Sequence, residues 1–156
     1  MTELSLDTRR AQLRAIFTKV ITAYGSQDFE TVEQYLTANT RFEWPYPPLE
    51  DFPDHLIGGA AFIEASKVGM AECSPYNHKI DMFYDQLDPN CLIVEYHSNS
   101  VHLKTQLPYG NRYLGILKFD GESIIFWKEY VNPLPILNVY GKDYTNSAAS
   151  TEQKQK

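Results

Sequence analysis

The stretch IIFWKEYVNPLPILNVYG, from Ile124 to Gly141, changes its pattern once, and this change decides how the fold is predicted. Up to Val131 alternate residues share a face, which predicts a β-strand. Asn132 is a common helix N-cap and Pro133 fits the first turn of a helix, so a short helix should follow. The stretch therefore predicts a strand and, directly after it, a helix that can close the mouth of a cavity beside the sheet.

Glu129 is a carboxylate that this strand places on the same face as Trp127 and Val131, while Phe126, Lys128 and Tyr130 share the other face. A carboxylate among apolar neighbours loses hydration, which disfavours its charged form and raises its pKa. A carboxyl group with such a pKa can both deliver and remove protons. The alternative is that Glu129 pairs with a cation on a neighbouring strand or faces water.

Three segments with the same period of two precede this strand, after a break at CSPYN. Asp120-Gly121, between the last two alternating runs, is a typical two-residue hairpin turn. Consecutive strands joined by short breaks pair mostly antiparallel and can bury one face. We therefore expect a four-stranded meander formed by HKIDMFYD, CLIVEYHSNSVHLKT, NRYLGILKF and SIIFWKEYV.

Helical periodicity dominates the chain before these strands. Residues 7–24 place apolar side chains on one helical face, and a second short helix follows with Asp28 as its cap. A short strand, TRFEWPYPP, runs into the proline-rich segment PYPPLEDFPDHLIGG, which we expect to be irregular, and GAAFIEASKVGMAE is a third helix. Helices first and strands afterwards predict an α+β class, with the helices covering the concave side of a curled sheet around a cavity.

The composition of the chain limits the kinds of ligand that we expect it to bind. The chain has 156 residues and 43% hydrophobic residues, which fits a single domain over 1–141 with a polar, frayed tail over 142–156. A formal charge of −6 gives no attraction to nucleic acid or anionic lipid, and no run of about 18 apolar residues predicts a membrane span, so we expect a cytoplasmic protein. The 11 tyrosines, 8 phenylalanines and 2 tryptophans can line a pocket for a flat organic ligand.

Three motifs resemble the nuclear transport factor 2-like superfamily, which includes SnoaL-type cyclases, and most of all its phenazine-biosynthesis A/B branch. They are YDQLDPNCLIVEY, LPYGNRYLGILKFDGESI and KEYVNPLPILNVYG. The likeness covers Tyr84 to Gly141 by motif and the first half by element order. It implies a cone-shaped, cystatin-like α+β barrel, with N-terminal helices on a curved, mostly antiparallel sheet around an internal pocket, and a homodimer formed through the outer sheet face.

The resemblance also implies roles for particular residues. The acid/base glutamate of the phenazine-biosynthesis proteins falls on Glu129, whereas their pocket histidine on the third helix falls on Ala65, with Ser66 beside it. In ketosteroid isomerase, another member, the general base falls on Trp44, the hydrogen-bonding tyrosine on Val20 and the protonated aspartate near Gly115. Since none of these three can do that chemistry, we do not expect steroid isomerisation by that machinery.

Aromatic and small residues elsewhere complete the predicted site. Phe42, Trp44 and Tyr46 alternate onto one strand face, as do Tyr113, Gly115 and Leu117 on another. With Val20, Trp127 and Val131 they would form an aromatic sleeve that holds a planar substrate, with room left by Ala65 and Gly115; ordinary core packing is the alternative for each single residue.

His97 is a second catalytic candidate, on a strand face shared with Glu95 and Asn99. The alternative is that His97 lies on the convex sheet face. Glu95 and His97 without a third ligand do not make a metal site. His55 and His78 are expected to be exposed.

We therefore predict an enzyme of secondary metabolism that needs no cofactor or metal. Glu129 would act as general acid/base in an isomerisation, cyclisation, condensation or dehydration of a small hydrophobic or aromatic molecule. The alternative is a non-catalytic carrier of a hydrophobic pathway intermediate, which the missing histidine favours. Because one fold supports many reactions, the motifs alone do not choose between them.

Overall fold

The structure is a computed structural model that describes residues 5–141, and the tail predicted over 142–156 lies outside this range. Four helices and eight strands occur within it. In chain order they are α1 (Leu6–Gly25), α2 (Phe29–Glu33), β1 (Leu36–Glu43), β2 (His55–Ile57), α3 (Gly59–Met70), β3 (Lys79–Asp85), β4 (Cys91–His97), β5 (Ser100–Val101), β6 (Pro108–Tyr109), β7 (Arg112–Asp120), β8 (Ser123–Val131) and α4 (Pro133–Tyr140).

Six strands form one curved sheet in the order β2-β1-β8-β7-β4-β3, and β5 pairs with β6 separately. Neighbouring strands are antiparallel except β1 and β8, which run parallel and place Phe42 opposite Trp127. The parallel pair joins the early part of the chain to its last strand. The predicted α+β class, with helices on a curved and mostly antiparallel sheet, is confirmed.

The β7–β8 hairpin closes through a tight turn. Asp120 pairs with Ser123, so the two turn residues are Gly121 and Glu122, one position later than the predicted pair Asp120-Gly121. Gly121 has φ +56°, in the left-handed region where glycine is favoured because it has no Cβ. The turn holds β7 and β8 in the register that positions Glu129.

Two segments differ from the predicted elements. The alternating run after Cys91 does not form one strand, because β4 ends at His97 and the short strand β5 follows separately. The proline-rich segment predicted to be irregular contains β2, which pairs antiparallel with β1 and places Leu56 opposite Phe42. β8 occupies only one edge of β1, so the other edge is free to bind this short strand.

The helices cover the concave face of the sheet with aromatic contacts. Phe17 of α1 packs edge-on against Tyr96 and Trp127, with ring centroids 5.5 Å and 5.4 Å away. Phe62 of α3 stacks on Phe42 of β1 at 4.1 Å. Burying each such side chain contributes about 1.5–3 kcal/mol, so these contacts fix both helices over the sheet.

Side-chain caps begin the two helices for which they were predicted. Asp28 accepts a hydrogen bond from the amide of Thr31 at 3.1 Å, and Asn132 accepts one from Leu134 at 3.1 Å. Pro133 occupies the start of α4.

Among residues 5–141, no helix is both long enough and apolar enough to cross a lipid bilayer.

Candidate functional site

A cavity of about 1070 Å³ lies between the sheet, α3, α4 and the loop that follows β1. Most of its lining is aromatic or aliphatic, which suits an apolar ligand. Seven of the residues predicted for the site line it: Phe42, Trp44, Ala65, Ser66, Trp127, Glu129 and Val131.

Glu129 of β8 lies in the cavity wall with both carboxyl oxygens occupied by donors. The Tyr96 hydroxyl donates a hydrogen bond to Oε1. The Trp44 indole Nε1 donates to Oε2 at 3.1 Å. Both donors are uncharged, so the carboxyl group is held in place without a salt bridge that would keep it ionised.

Burial sets the protonation behaviour of Glu129. Desolvation raises the pKa of its carboxyl group above the ordinary value of 4.5, and the hydrogen bonds from Tyr96 and Trp44 offset part of this rise. The neutral acid therefore persists to higher pH than in an exposed glutamate. A carboxyl group in this state can take up and release protons under mild conditions.

Tyr96 reaches Glu129 across an intervening strand. Tyr96 lies on β4 and Glu129 on β8, and Gly115 of β7 is directly opposite Glu129. A Cβ atom at Gly115 would lie 3.3 Å from the Tyr96 ring, so the missing side chain leaves the space that the ring occupies. The ring also stacks on that of Tyr113, its cross-strand neighbour, with centroids 4.9 Å apart, and this contact restricts its orientation.

Tyr96 was not among the predicted site residues, although its position in the sequence carries a signal. Leu92, Val94 and Tyr96 alternate with Glu95 and His97 along β4, and all three apolar positions are buried. The predicted site used the other face of this strand. Knowing which face pointed inward required the sheet itself.

His97 lies on the outer face of the sheet, opposite to the cavity. Its Nδ1 is 2.8 Å from Oδ1 of Asp81 on β3. Because side chains alternate along a strand, the inward position of Tyr96 directs His97 outward. This placement excludes His97 from chemistry in the cavity and corrects its prediction as a catalytic residue.

Four predicted substrate-binding residues do not line the cavity. Tyr46 lies beyond the end of β1, is 67% exposed and packs near Tyr130. Val20 is fully buried in the core, because it belongs to the face of α1 that packs against the sheet. Tyr113 lies beside Tyr96 on the neighbouring strand, and its hydroxyl pairs with Ser98 at 2.9 Å. The space at Gly115, predicted to leave room for substrate, is filled by Tyr96.

Further aromatic residues, which were not predicted as site residues, line the cavity. Tyr24 of α1 donates a hydrogen bond from its hydroxyl to Ser66 at 3.2 Å, and Ser66 donates to the carbonyl of Phe62 at 2.7 Å. His78, which was predicted to be exposed, is not among the lining residues but is buried and stacks on Tyr24 at 5.7 Å. The other newly found lining aromatics are Phe52, Phe62, Tyr76, Tyr109 and Tyr140.

The described residues were also compared with the side-chain clusters that bind metal ions. Within residues 5–141, no group of three or more histidine, cysteine, aspartate or glutamate side chains is arranged to hold a metal ion.

Comparisons with known proteins identify the fold. No protein-family model matches the chain. The uncharacterized protein YesE of Bacillus subtilis (strain 168) is 24% identical over 124 residues, which cover 80% of this chain and 84% of YesE. A crystal structure of a candidate isomerase from Bacillus subtilis matches with a TM-score of 0.77 and 22% identity, over 85% of this chain and 95% of that protein.

Two further solved structures place the fold among known groups. A nuclear transport factor 2-like protein from Anabaena variabilis matches with a TM-score of 0.65 and 16% identity, over 85% of this chain and 94% of its own. A candidate SnoaL-like polyketide cyclase from Shewanella putrefaciens matches with a TM-score of 0.67 and 12% identity, over 88% and 95%. The chain thus has the nuclear transport factor 2-like, SnoaL-like fold that its motifs predicted, while these matches do not single out the phenazine-biosynthesis branch.

Proposed function

We propose that the protein catalyses a proton transfer on a small, uncharged, apolar or aromatic molecule, with Glu129 as general acid/base. The observation that carries this proposal is the buried carboxyl group of Glu129 in the wall of a mostly apolar cavity, where Tyr96 and Trp44 hold it and burial raises its pKa. The candidate SnoaL-like polyketide cyclase from Shewanella putrefaciens, which shares the fold, supports a role with small molecules.

The chemistry follows from the two states of the carboxyl group. As a carboxylate, Glu129 removes a proton from an acidic C–H bond of the substrate, and the electrons of that bond move into the adjacent π system. As a carboxylic acid, it returns a proton at the same or a neighbouring atom. Isomerisation returns the proton at another carbon, whereas dehydration delivers it to a departing hydroxyl group. The reaction needs no redox partner because no electrons are gained or lost overall.

The first prediction concerns Glu129→Gln and uses 2-tetralone, a planar ketone with acidic C–H bonds, as the probe. In D2O, the protein should speed the exchange of these hydrogens, followed by proton NMR. Glutamine keeps the shape of the side chain but cannot accept the proton, so the variant should lose about 10²–10⁴-fold of the catalysed rate. The rate should also rise with pH through the raised pKa of Glu129, since the base is the carboxylate.

His97→Gln is the matched control, because His97 contacts Asp81 on the outer face and does not line the cavity. It should exchange 2-tetralone as fast as the wild-type protein. Equal exchange by the wild-type and Glu129→Gln proteins would remove Glu129 from the mechanism.

A carrier without chemistry is the second candidate. The observation in its favour is that α3 presents Ala65 and Ser66 to the cavity, and that no histidine is among the described residues lining it. Such a protein would bind its ligand and return it unchanged. Native mass spectrometry after incubation with cell extract would then show a retained small molecule, with no exchange or product over long incubation.

A further inference from the structure

Three tyrosines converge at one part of the cavity, where the segment after α3, strand β6 and helix α4 meet. Tyr76 and Tyr109 pack edge-on with ring centroids 5.5 Å apart, and Tyr109 lies 6.1 Å from Tyr140. All three line the cavity. The Tyr76 amide donates to the carbonyl of Gly25 and its carbonyl accepts from the amide of Asn99, both at 2.7 Å. These bonds fix the backbone from which the Tyr76 ring extends.

The hydroxyl groups of this cluster remain protonated donors. Burial raises the pKa of Tyr109 to about 12, and the charge of Glu129 contributes to that rise. Burial likewise raises the pKa of Tyr76 far above its ordinary value. Both side chains are therefore neutral phenols at any physiological pH and can donate hydrogen bonds.

Most other tyrosine hydroxyls near the cavity already have a partner. Tyr24 donates to Ser66, Tyr96 to Glu129, and Tyr140 pairs with the Cys73 sulfur at 3.2 Å. Tyr76 and Tyr109 differ, because within residues 5–141 neither hydroxyl forms a hydrogen bond of 3.5 Å or less, although both residues line the cavity. The side chains of Asn111 and Tyr76 lie close enough to Tyr109 to lower its pKa, against the larger rise from burial. Only one of two adjacent hydroxyls can donate to the other, so at least one O–H group is left for a ligand.

The charges around the cavity decide which acceptor this O–H group would meet. Of the described lining residues, three are acidic, and Lys67 is the one cation, with its amine 2.8 Å from Glu64. A carboxylate or phosphate on the ligand would be repelled by Glu129 and would find no free cation. An uncharged oxygen that only accepts hydrogen bonds fits this environment.

We propose that Tyr76 and Tyr109 form a donor subsite that binds the carbonyl oxygen of a planar ketone or quinone whose hydrocarbon part fills the rest of the cavity. This inference deepens the proposed function, on which it rests for the cavity being the substrate site. It assigns the substrate a carbonyl group, recognised by residues other than the acid/base Glu129.

The test compares two probes of one shape, 2-acetylnaphthalene and 2-ethylnaphthalene, which differ by a carbonyl oxygen. Binding is followed by quenching of Trp44 and Trp127, which both line the cavity. The ratio of ketone to hydrocarbon affinity should fall by about tenfold from the wild-type protein to the Tyr76→Phe, Tyr109→Phe double variant, because one hydrogen bond is lost. Hydrocarbon affinity should stay the same and shows that the cavity is intact.

Tyr140→Phe is the matched control, since it removes a hydroxyl from the same cluster that already pairs with Cys73. It should leave the ratio unchanged. The proposal is overturned if the double variant keeps the wild-type ratio, if Tyr140→Phe lowers it equally, or if neither probe binds the wild-type protein. Should the double variant lose hydrocarbon binding and hence its fold, the two single variants decide by the same ratio.

Glu129→Gln separates this inference from the proposed function. The variant should retain the preference for the ketone, because the subsite does not include Glu129. Normal deuterium exchange by Glu129→Gln together with a ketone preference that depends on Tyr76 and Tyr109 would overturn the proposed mechanism alone. Lost exchange with no ketone preference in any protein would overturn the subsite alone.

Discussion

Glu129 is held in an aromatic wall by two uncharged donors, and this arrangement governs its chemistry. Tyr96 donates to one carboxyl oxygen and Trp44 to the other. Each oxygen keeps a lone pair, so a proton can be accepted without either hydrogen bond breaking first. The environment therefore favours a carboxyl group that changes its protonation state while its position stays fixed.

Removing the Tyr96 hydroxyl should raise the pKa of Glu129 further. Burial raises that pKa, and the hydrogen bond from Tyr96 lowers it. Because Tyr96→Phe removes only the lowering effect, the pKa of Glu129 should increase. The carboxyl resonance of ¹³C-labelled glutamate, assigned by its absence in Glu129→Gln, reports the titration by NMR. The midpoint in Tyr96→Phe should lie at higher pH than in the wild-type protein.

Tyr113→Phe provides the control for this titration. It removes the hydroxyl of the ring stacked on Tyr96, and that hydroxyl pairs with Ser98 instead of Glu129. Its midpoint should match the wild-type value. A midpoint in Tyr96→Phe that is unchanged or lower would show that the hydroxyl does not stabilise the carboxylate.

Among the structural elements, strands β4, β7 and β8 build the site through their register. Gly115 pairs with Val94 on one side and with Glu129 on the other. The position has no side chain, so the Tyr96 ring passes over β7 and reaches the next strand. Gly115 is thus a positioning residue, and its conformational freedom is not the reason for glycine there.

Gly115→Ala should displace Tyr96 and weaken its bond to Glu129. The new Cβ would lie 3.3 Å from both the Tyr96 ring and the Val94 side chain, closer than ordinary packing allows. Overpacking of this kind costs about 1–3 kcal/mol of unfolding free energy. The Glu129 titration should shift to higher pH, as in Tyr96→Phe, which a merely destabilising change would not produce.

The same substitution at Gly69 on α3 serves as its control. A Cβ at Gly69 meets nothing within 4 Å, so alanine should stabilise the helix by about 1 kcal/mol. Chemical denaturation measures both changes. Equal stability and an unchanged Glu129 titration in Gly115→Ala would show that Tyr96 does not need the space.

At the scale of the whole molecule, Glu129 makes folding depend on pH. Its folded pKa is raised above 4.5, so the folded state binds more protons than the unfolded state between these two values. The contribution of Glu129 to stability is therefore full below about pH 4 and decreases as pH rises through the folded pKa. Above that range the folded protein contains a poorly solvated carboxylate.

Glu129→Gln should lose this pH dependence. Thermal unfolding of both proteins from about pH 4 to about pH 8 should show the Tm of the variant rising relative to the wild-type Tm as pH increases, because glutamine stays neutral. The comparison isolates Glu129, since all other titrating groups are present in both proteins. A difference in Tm that is constant or shrinks toward high pH would contradict the raised pKa.

Elements with local signals were predictable because their causes lie within a few residues. Asn132 and Pro133 begin α4, and alternation from Ser123 to Val131 gives β8 with Glu129, Trp127 and Val131 on the face that lines the cavity. In contrast, β2 was missed because three residues carry too little periodicity and pair only when a free edge is available.

The amino-acid sequence by itself determined the α+β class, the last strand and its helix, and the strand face on which Glu129 lies, because periodicity, capping and side-chain alternation act locally. Only the tertiary structure decided that Tyr96 faces inward and His97 outward, and that Gly115 leaves space for the Tyr96 ring. It also brought Tyr76 and Tyr109 together. These facts depend on sheet order and register, which arise from contacts between residues far apart in the chain.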